Sequence, residues 1–321
     1  MVELDRTDKK IIFELDRNSR QPFTQLARKL KTSKSVVAYR VRQLEKKKII
    51  RGYYTAIDTV KIGYYNFRAY ICLKEASNEE RDSILEYLIN SKWTWWVATA
   101  SFPYDIAMMF LAKGMHRADS QFKEFLRRFK KSIKSCKVNP YVELNHFFRD
   151  YILYDEAMEN RNYLTVGDEN RVTLSEAEFA VLRELSSDSR QGSMVIARKL
   201  GLSPITVKSI IRRMMKNRVI LAFRVLVDYS KINHGYYWIH IDVNDLEEGD
   251  RLNRYIAALP ETVYLEQAIG GSDVEFGIQI NEAKGVQWVV QGILDNFGEA
   301  VTDYEYFKIL ENKKAVYMPQ E

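Results

Sequence analysis

The chain has 321 residues, with 49 Lys and Arg against 43 Asp and Glu and a formal net charge of +6. That length suits two to four domains, and 46% hydrophobic residues are enough to build real cores. There is no apolar run of about 18 residues, MVELDRTDKK lacks a signal core, and Cys72 and Cys136 are the only cysteines. We therefore expect no membrane span, no export, no disulfide framework and a reducing cytoplasm.

A first helix starts at Asp5, an N-cap with Asp8 three residues on, and carries Ile11, Ile12 and Leu15 on its apolar side. Gln21–Ile50 then reads as two short helices around a tight turn. Leu26, Ala27 and Leu30 share a face of one; Val37, Val41 and Leu44 share a face of the other. Ser33 stands at the N-cap of the second, and small Ala27 lets the two cross closely. This is a helix-turn-helix pattern, whose second helix enters the DNA major groove. RGYYTAID reads as a short two-stranded wing, placed to touch backbone phosphate or, the favoured reading, to brace the domain.

From Phe67 the period changes. Strands are predicted at Phe67–Leu73, Trp93–Ala100, Asp105–Leu111 and Val138–Phe148, with helices at Glu79–Ile89 and Arg117–Phe129. The order βαββαβ predicts a ferredoxin-like split sheet with helices on one face. Residues 155–172 are polar and charged and read as a linker with a helical start. The plan then repeats. Helices are predicted at Glu176–Leu185, Met194–Leu200, Pro204–Asn217, Glu248–Leu259 and Ala283–Asn296. Strands are predicted at Tyr237–Val243, Val263–Ile269, Asp273–Ile280 and Val301–Leu310.

The repetition is literal. Shifting the sequence by 170 lays Leu4–Ile62 on Leu174–Ile232 without a gap, with 18 identities in 59 positions. SRQ falls on SRQ and ARKL on ARKL, while Ser33, Val37, Arg42, Lys46 and Asp58 fall on Ser203, Val207, Arg212, Lys216 and Asp228. Chance would give a handful, so the chain is a duplication. Residues 1–52 carry +9, residues 173–224 carry +6 and the remainder −9. Positive charge gathered on both helix-turn-helix segments is the footprint expected for double-stranded DNA.

The motifs LDRTDKKII, FTQLARKLKTSKSVVAYRVRQLEKKKIIRGY and KIGY, with LSEAEFAVL, ARKLGLSPITVKSIIRRM and IGGSD in the second copy, resemble the Lrp/AsnC (feast/famine) family of transcription regulators. The expected fold is α+β: winged helix-turn-helix domains at 1–58 and 173–228, and ferredoxin-like effector and oligomerisation domains at 59–154 and 229–321. The resemblance implies pairing through the sheet domains, so one chain is expected to act as a built-in dimer and two chains as a dimer of pseudo-dimers. Phe67–Leu73 and Tyr237–Val243 are the segments expected to line the contact between sheets.

DNA contacts are expected from Ser33, Lys34, Ser35, Tyr39, Arg40, Arg42 and Lys46 in the first copy. In the second they are expected from Ser203, Thr206, Lys208, Arg212, Arg213 and Lys216. Arg40, taken as outward-facing and replaced by Ile210, makes the first copy the dominant base reader. The resemblance also implies an amino-acid effector beside a glycine turn. The second copy keeps this turn as Gly270, Gly271, Ser272 and Asp273. The first has SFPYD, where Phe102 is expected to fill the space.

Enzymatic chemistry has little support in the sequence. His116, His146, His234 and His240 are scattered without metal-ligand spacing, and no Gly-rich phosphate loop follows a strand, so no cofactor is expected. The run Trp93–Trp96 reads as sheet packing or an interface. Sirohaem decarboxylases resemble the family in fold, but they carry histidine and arginine where this chain reads WWVATASFPYDIAMMF and VYLEQAIGGSDVEFGI. That enzyme, and a regulatory partner subunit that does not bind DNA, are the alternative readings.

Overall fold

In the computed structural model, which describes residues 4–74, 77–154 and 160–318, the duplication becomes a pseudo-twofold axis within one chain. The first head holds α1 (Arg6–Arg17), α2 (Phe23–Leu30), α3 (Lys34–Lys46) and β1 (Ile50–Ile57). The second holds α6 (Glu176–Ser187), α7 (Ser193–Leu200), α8 (Pro204–Lys216) and β7 (Ile220–Val227), each element shifted by 170 from its counterpart. The capping residues set these starts. Asp5 accepts from the Asp8 N–H, Ser33 from Val36 and Ser203 from Thr206, while Ser175 and Glu178 form a complete capping box. Ile11, Leu15, Leu26, Val37, Val41 and Leu44 make the first head's core; Val181, Leu185, Ile196, Val207, Ile211 and Met214 make the second's.

The wing departs from expectation. Neither head has a two-stranded wing of its own; β1 pairs antiparallel with β7 of the other head, with Tyr54 opposite Arg224 near the axis. The contacts around the strands obey the same symmetry. Ser19 N–H donates to the Phe223 carbonyl and Ser189 N–H to that of Tyr53; Asp58 N–H donates to Val219 and Asp228 N–H to Ile49. On the axis the Ser19 and Ser189 hydroxyls meet at 2.7 Å.

The sheet domains hold β2 (Tyr65–Leu73), α4 (Asn78–Asn90), β3 (Thr94–Ala100), β4 (Ile106–Ala112), α5 (Met115–Phe129) and β5 (Ile133–Phe147). The repeats are β8 (His234–Val243), α9 (Leu246–Ala258), β9 (Thr262–Ala268), β10 (Val274–Asn281), α10 (Val286–Phe297) and β11 (Val301–Ala315). Each half is the expected antiparallel split sheet. Period-two alternation sends Phe67, Ala69 and Ile71 outward under α4 and α5, and Ile239 and Ile241 outward under α9 and α10. The halves meet edge to edge as well as face to face. The long last strand of each half pairs with the second strand of the other, β5 with β9 and β11 with β3. Eight strands thereby close into a barrel, because β2 also pairs with β5. The inward residues of β2 and β8 line the contact as expected, with Tyr70 Oη 3.4 Å from His240 Nε2 on the axis.

The linker is structured where it is described. Tyr163–Val166 forms β6, antiparallel to β5. Arg161 is buried, donating to Asp150 Oδ2 at 2.9 Å and to the carbonyls of Phe148 and Thr262. The expected helical start falls on residues 155–159, outside the described residues.

Candidate nucleic-acid interface

On α3, Ser33, Lys34, Ser35, Arg42 and Lys46 are exposed, and Tyr39 is 64% exposed. On α8, Ser203, Thr206, Lys208, Arg212, Arg213 and Lys216 are exposed. The faces opposite them are the head cores, so the sequence period assigned these sides correctly. Two roles need refinement. Ser33 and Ser203 hydroxyls are already capping acceptors, and they also contact Ser35 Oγ and Thr206 Oγ1 at 2.8 Å. Arg213 reaches back 2.5 Å to Glu178, the capping-box carboxylate of α6.

Arg40 corrects the expected asymmetry. Its guanidinium does not point outward but lies over the start of α1, 2.6 Å from Asp5 and 2.9 Å from Asp8. Ile210, at the equivalent position, is buried in the second head. The position faces the first helix of its own head in both copies. The sequence signal was available, since Asp5 and Asp8 are the carboxylates of that helix start. Arg40→Ala should therefore lower stability by about 1 kcal/mol or less, as partly exposed ion pairs do, and leave base discrimination unchanged. Competition binding with matched and scrambled duplexes would show a selective loss if Arg40 does read bases.

Sequence reasoning did not single out two exposed apolar side chains on the helices. Ile205 is 80% exposed and Val36 40% exposed, on the first turns of α8 and α3. Their exposure against the helix period was the signal.

The family model described as winged helix-turn-helix DNA-binding matches residues 4–51 and 174–220, the two heads. The regulator LrpA of Pyrococcus horikoshii is 44% identical over 61 residues, covering 19% of this chain and only 43% of that protein. The regulator LrpC of Bacillus subtilis is 35% identical over 101 residues, covering 31% of this chain and 70% of LrpC. The chain belongs to the Lrp/AsnC family. Its whole-chain architecture also matches the siroheme decarboxylase NirDL, with a TM-score of 0.65, 98% of this chain and 94% of NirDL covered, and 11% identity, a likeness of fold alone.

Within this Lrp/AsnC architecture the glycine turn lies against the Glu275 carboxylate. Gly270 has φ +71°, so its conformation suits glycine, and a Cβ on Gly271 would strike the Glu275 carboxylate at 2.6 Å. The Ser272 N–H donates to that carboxylate at 2.8 Å. Asp273 accepts from the Val243 N–H at 2.9 Å, as Asp105 does from Leu73 at 2.7 Å in the other copy. The same carboxylate does the same work in both halves, so Gly270, Gly271, Ser272 and Asp273 make a self-satisfied hairpin. Phe102, expected to plug the first turn, is 90% exposed.

Inside the barrel, Glu275 and Glu266 of one half meet Arg68 of the other, all fully buried. Trp95 and Trp96 are buried between the halves. Burial holds His146 well below its ordinary pKa, so it is neutral. No group of three or more His, Cys, Asp or Glu among the described residues is placed to hold a metal ion. No described helix is long and apolar enough to cross a membrane.

Proposed function

We propose that the chain is a sequence-specific DNA-binding transcription regulator whose two heads read one duplex site together. The observation that carries this is the cross-paired wing. The β1–β7 ladder and the Ser19–Ser189 contact fix α3 and α8 in a two-fold relation, each with its charged face exposed. Two-fold readers match pseudo-palindromic sites. Because Ser35, Tyr39 and Lys34 face Ile205, Ser209 and Pro204 across the repeat, the two half-sites should differ in sequence.

Footprinting on genomic fragments should recover an imperfect palindrome protected by single chains. On that site, Tyr39→Ala or Arg42→Ala should cost discrimination worth about 1–3 kcal/mol per lost base contact. Lys216→Ala should weaken all sequences alike and reduce the salt dependence. Binding no tighter than to random DNA would sink the reading and leave the partner-subunit alternative.

The whole-chain likeness to NirDL supports one second reading, an enzyme acting on a tetrapyrrole. A related structure carries an iron-uroporphyrin III analogue. Adding that analogue and following its visible absorption separates the two: an unshifted spectrum with operator binding supports the regulator.

A further inference from the structure

The pseudo-twofold axis generates two crevices between the wing sheet and the barrel mouth, and they are not alike. One is lined by Thr59, Asn66, Leu111, Leu144 and His146, and holds a cavity of about 30 Å³; it adjoins the other, with Trp95, Leu144, Tyr264 and Tyr317 in the walls of both. The other has Tyr229, Tyr236, Gln279, Asn312 and Lys314 at the equivalent positions, and holds about 380 Å³.

The linker accounts for the difference. Beside the first crevice β6 is added to β5, Val166 enters the wall, and the Gly167 and Asp168 N–H groups bond the Asp58 carboxylate at 3.3 and 3.2 Å. Asp228, the equivalent of Asp58, instead takes a hydroxyl bond from its neighbour Ser230 at 2.6 Å. Among the described residues no strand follows β11 as β6 follows β5. One crevice is plugged by the chain itself and the other stays open.

The open cavity has a definite chemistry. Trp95, Trp96, Tyr236, Tyr264 and Tyr317 give it aromatic walls. Arg149 is matched by Asp16 at 2.6 Å, and Lys313 by Glu311 at 2.6 Å. Among the described residues, no carboxylate is bonded to Arg51 on the rim or to Lys314 in the wall. The Lys314 ammonium donates to the Ser91 carbonyl at 2.6 Å and the Thr94 hydroxyl at 3.0 Å, leaving one of its three N–H donors unused. Burial with no counter-ion lowers its pKa to about 8, the mark of a cation that gains from an anion. The Trp95 indole N–H is buried without a partner.

We infer that this crevice binds a small planar aromatic carboxylate, its ring between the Trp and Tyr faces and its carboxylate toward Lys314 and Arg51. The volume fits one or two fused rings and lies at the low end for ligand sites. This goes beyond the DNA-binding reading, and it is tested without DNA, so either can fail alone.

Full-length protein should be titrated calorimetrically with indole-3-acetate and 4-hydroxyphenylacetate, with indole and acetate as controls. At least one acid should bind saturably, one per chain, and raise the melting temperature, while neither control does. Lys314→Met should weaken that binding about tenfold or more while the unliganded protein still melts cooperatively, since it removes a half-buried charge with no counter-ion. Ser230→Trp, at the mouth, should block binding; if that variant fails to fold, Lys314→Met decides. Absence of saturable binding by both acids, or undiminished binding by Lys314→Met, overturns the inference.

Discussion

Replacing Arg68 by methionine should destabilise the protein by about 3–5 kcal/mol at neutral pH, the usual cost of stripping one partner from a buried ion pair. Arg68 Nη1 donates to Glu266 at 3.2 Å and Nη2 to Glu275 at 2.5 Å, and the three side chains are fully buried. They come from opposite halves, so the loss should loosen barrel closure. Urea unfolding measures it; a loss below about 1 kcal/mol would show that the barrel tolerates the two buried carboxyl groups without their arginine.

The same cluster sets a pH dependence. Burial is the largest influence on Glu266 and, against the opposing pull of Arg68, pushes its pKa up to about 8. The folded value is above the ordinary one of 4.5, so its contribution to stability is complete below about pH 4.5 and is lost as pH rises through 8. Glu266→Gln should therefore flatten the fall in stability between pH 5 and pH 9, a range set by those two values.

Asp16→Ala is the second large effect, again about 3–5 kcal/mol. Asp16, in α1, receives Arg224 Nη2 of the other head's wing and Arg149 Nη1 beyond the end of β5, both at 2.6 Å. Burial alone would raise its pKa, but Arg224 and Arg149 outweigh this and hold it below the ordinary carboxylate value. This contribution is present above the ordinary value of 3.8 and is lost as pH falls through the depressed one. The equivalent residue, Ser186, bonds only locally, to the Arg183 carbonyl at 2.8 Å. Ser186→Ala should cost under about 1 kcal/mol. Hydrogen exchange in the two variants should show α1 released by Asp16→Ala and α6 unaffected by Ser186→Ala; equal effects would refute the asymmetry.

What the sequence revealed was what is local or repeated. Caps at Asp5, Ser33, Ser175 and Ser203, the 170-residue shift and the two periods placed both heads and both split sheets. What it hid was pairing at long range. Nothing in RGYYTAID says that its partner strand lies near residue 224, so a local wing was the natural misreading. Arg40 was misassigned because helical spacing gives a direction around an axis but not the neighbouring helix that meets it. The Asp16–Arg149–Arg224 cluster draws on three distant segments, and the two crevices differ because a linker strand lies beside only one of them. Both are properties of broken symmetry, visible only once the halves are superposed.

The shared wing and barrel also alter how binding responds to abundance. A regulator assembled from separate subunits loses its paired form on dilution, and occupancy of a two-headed site then falls with roughly the square of subunit concentration. Here each head is held to its mate by one covalent chain and by the shared β1–β7 ladder, so pairing does not depend on protein concentration. Occupancy should follow the first power of protein concentration down to a few copies.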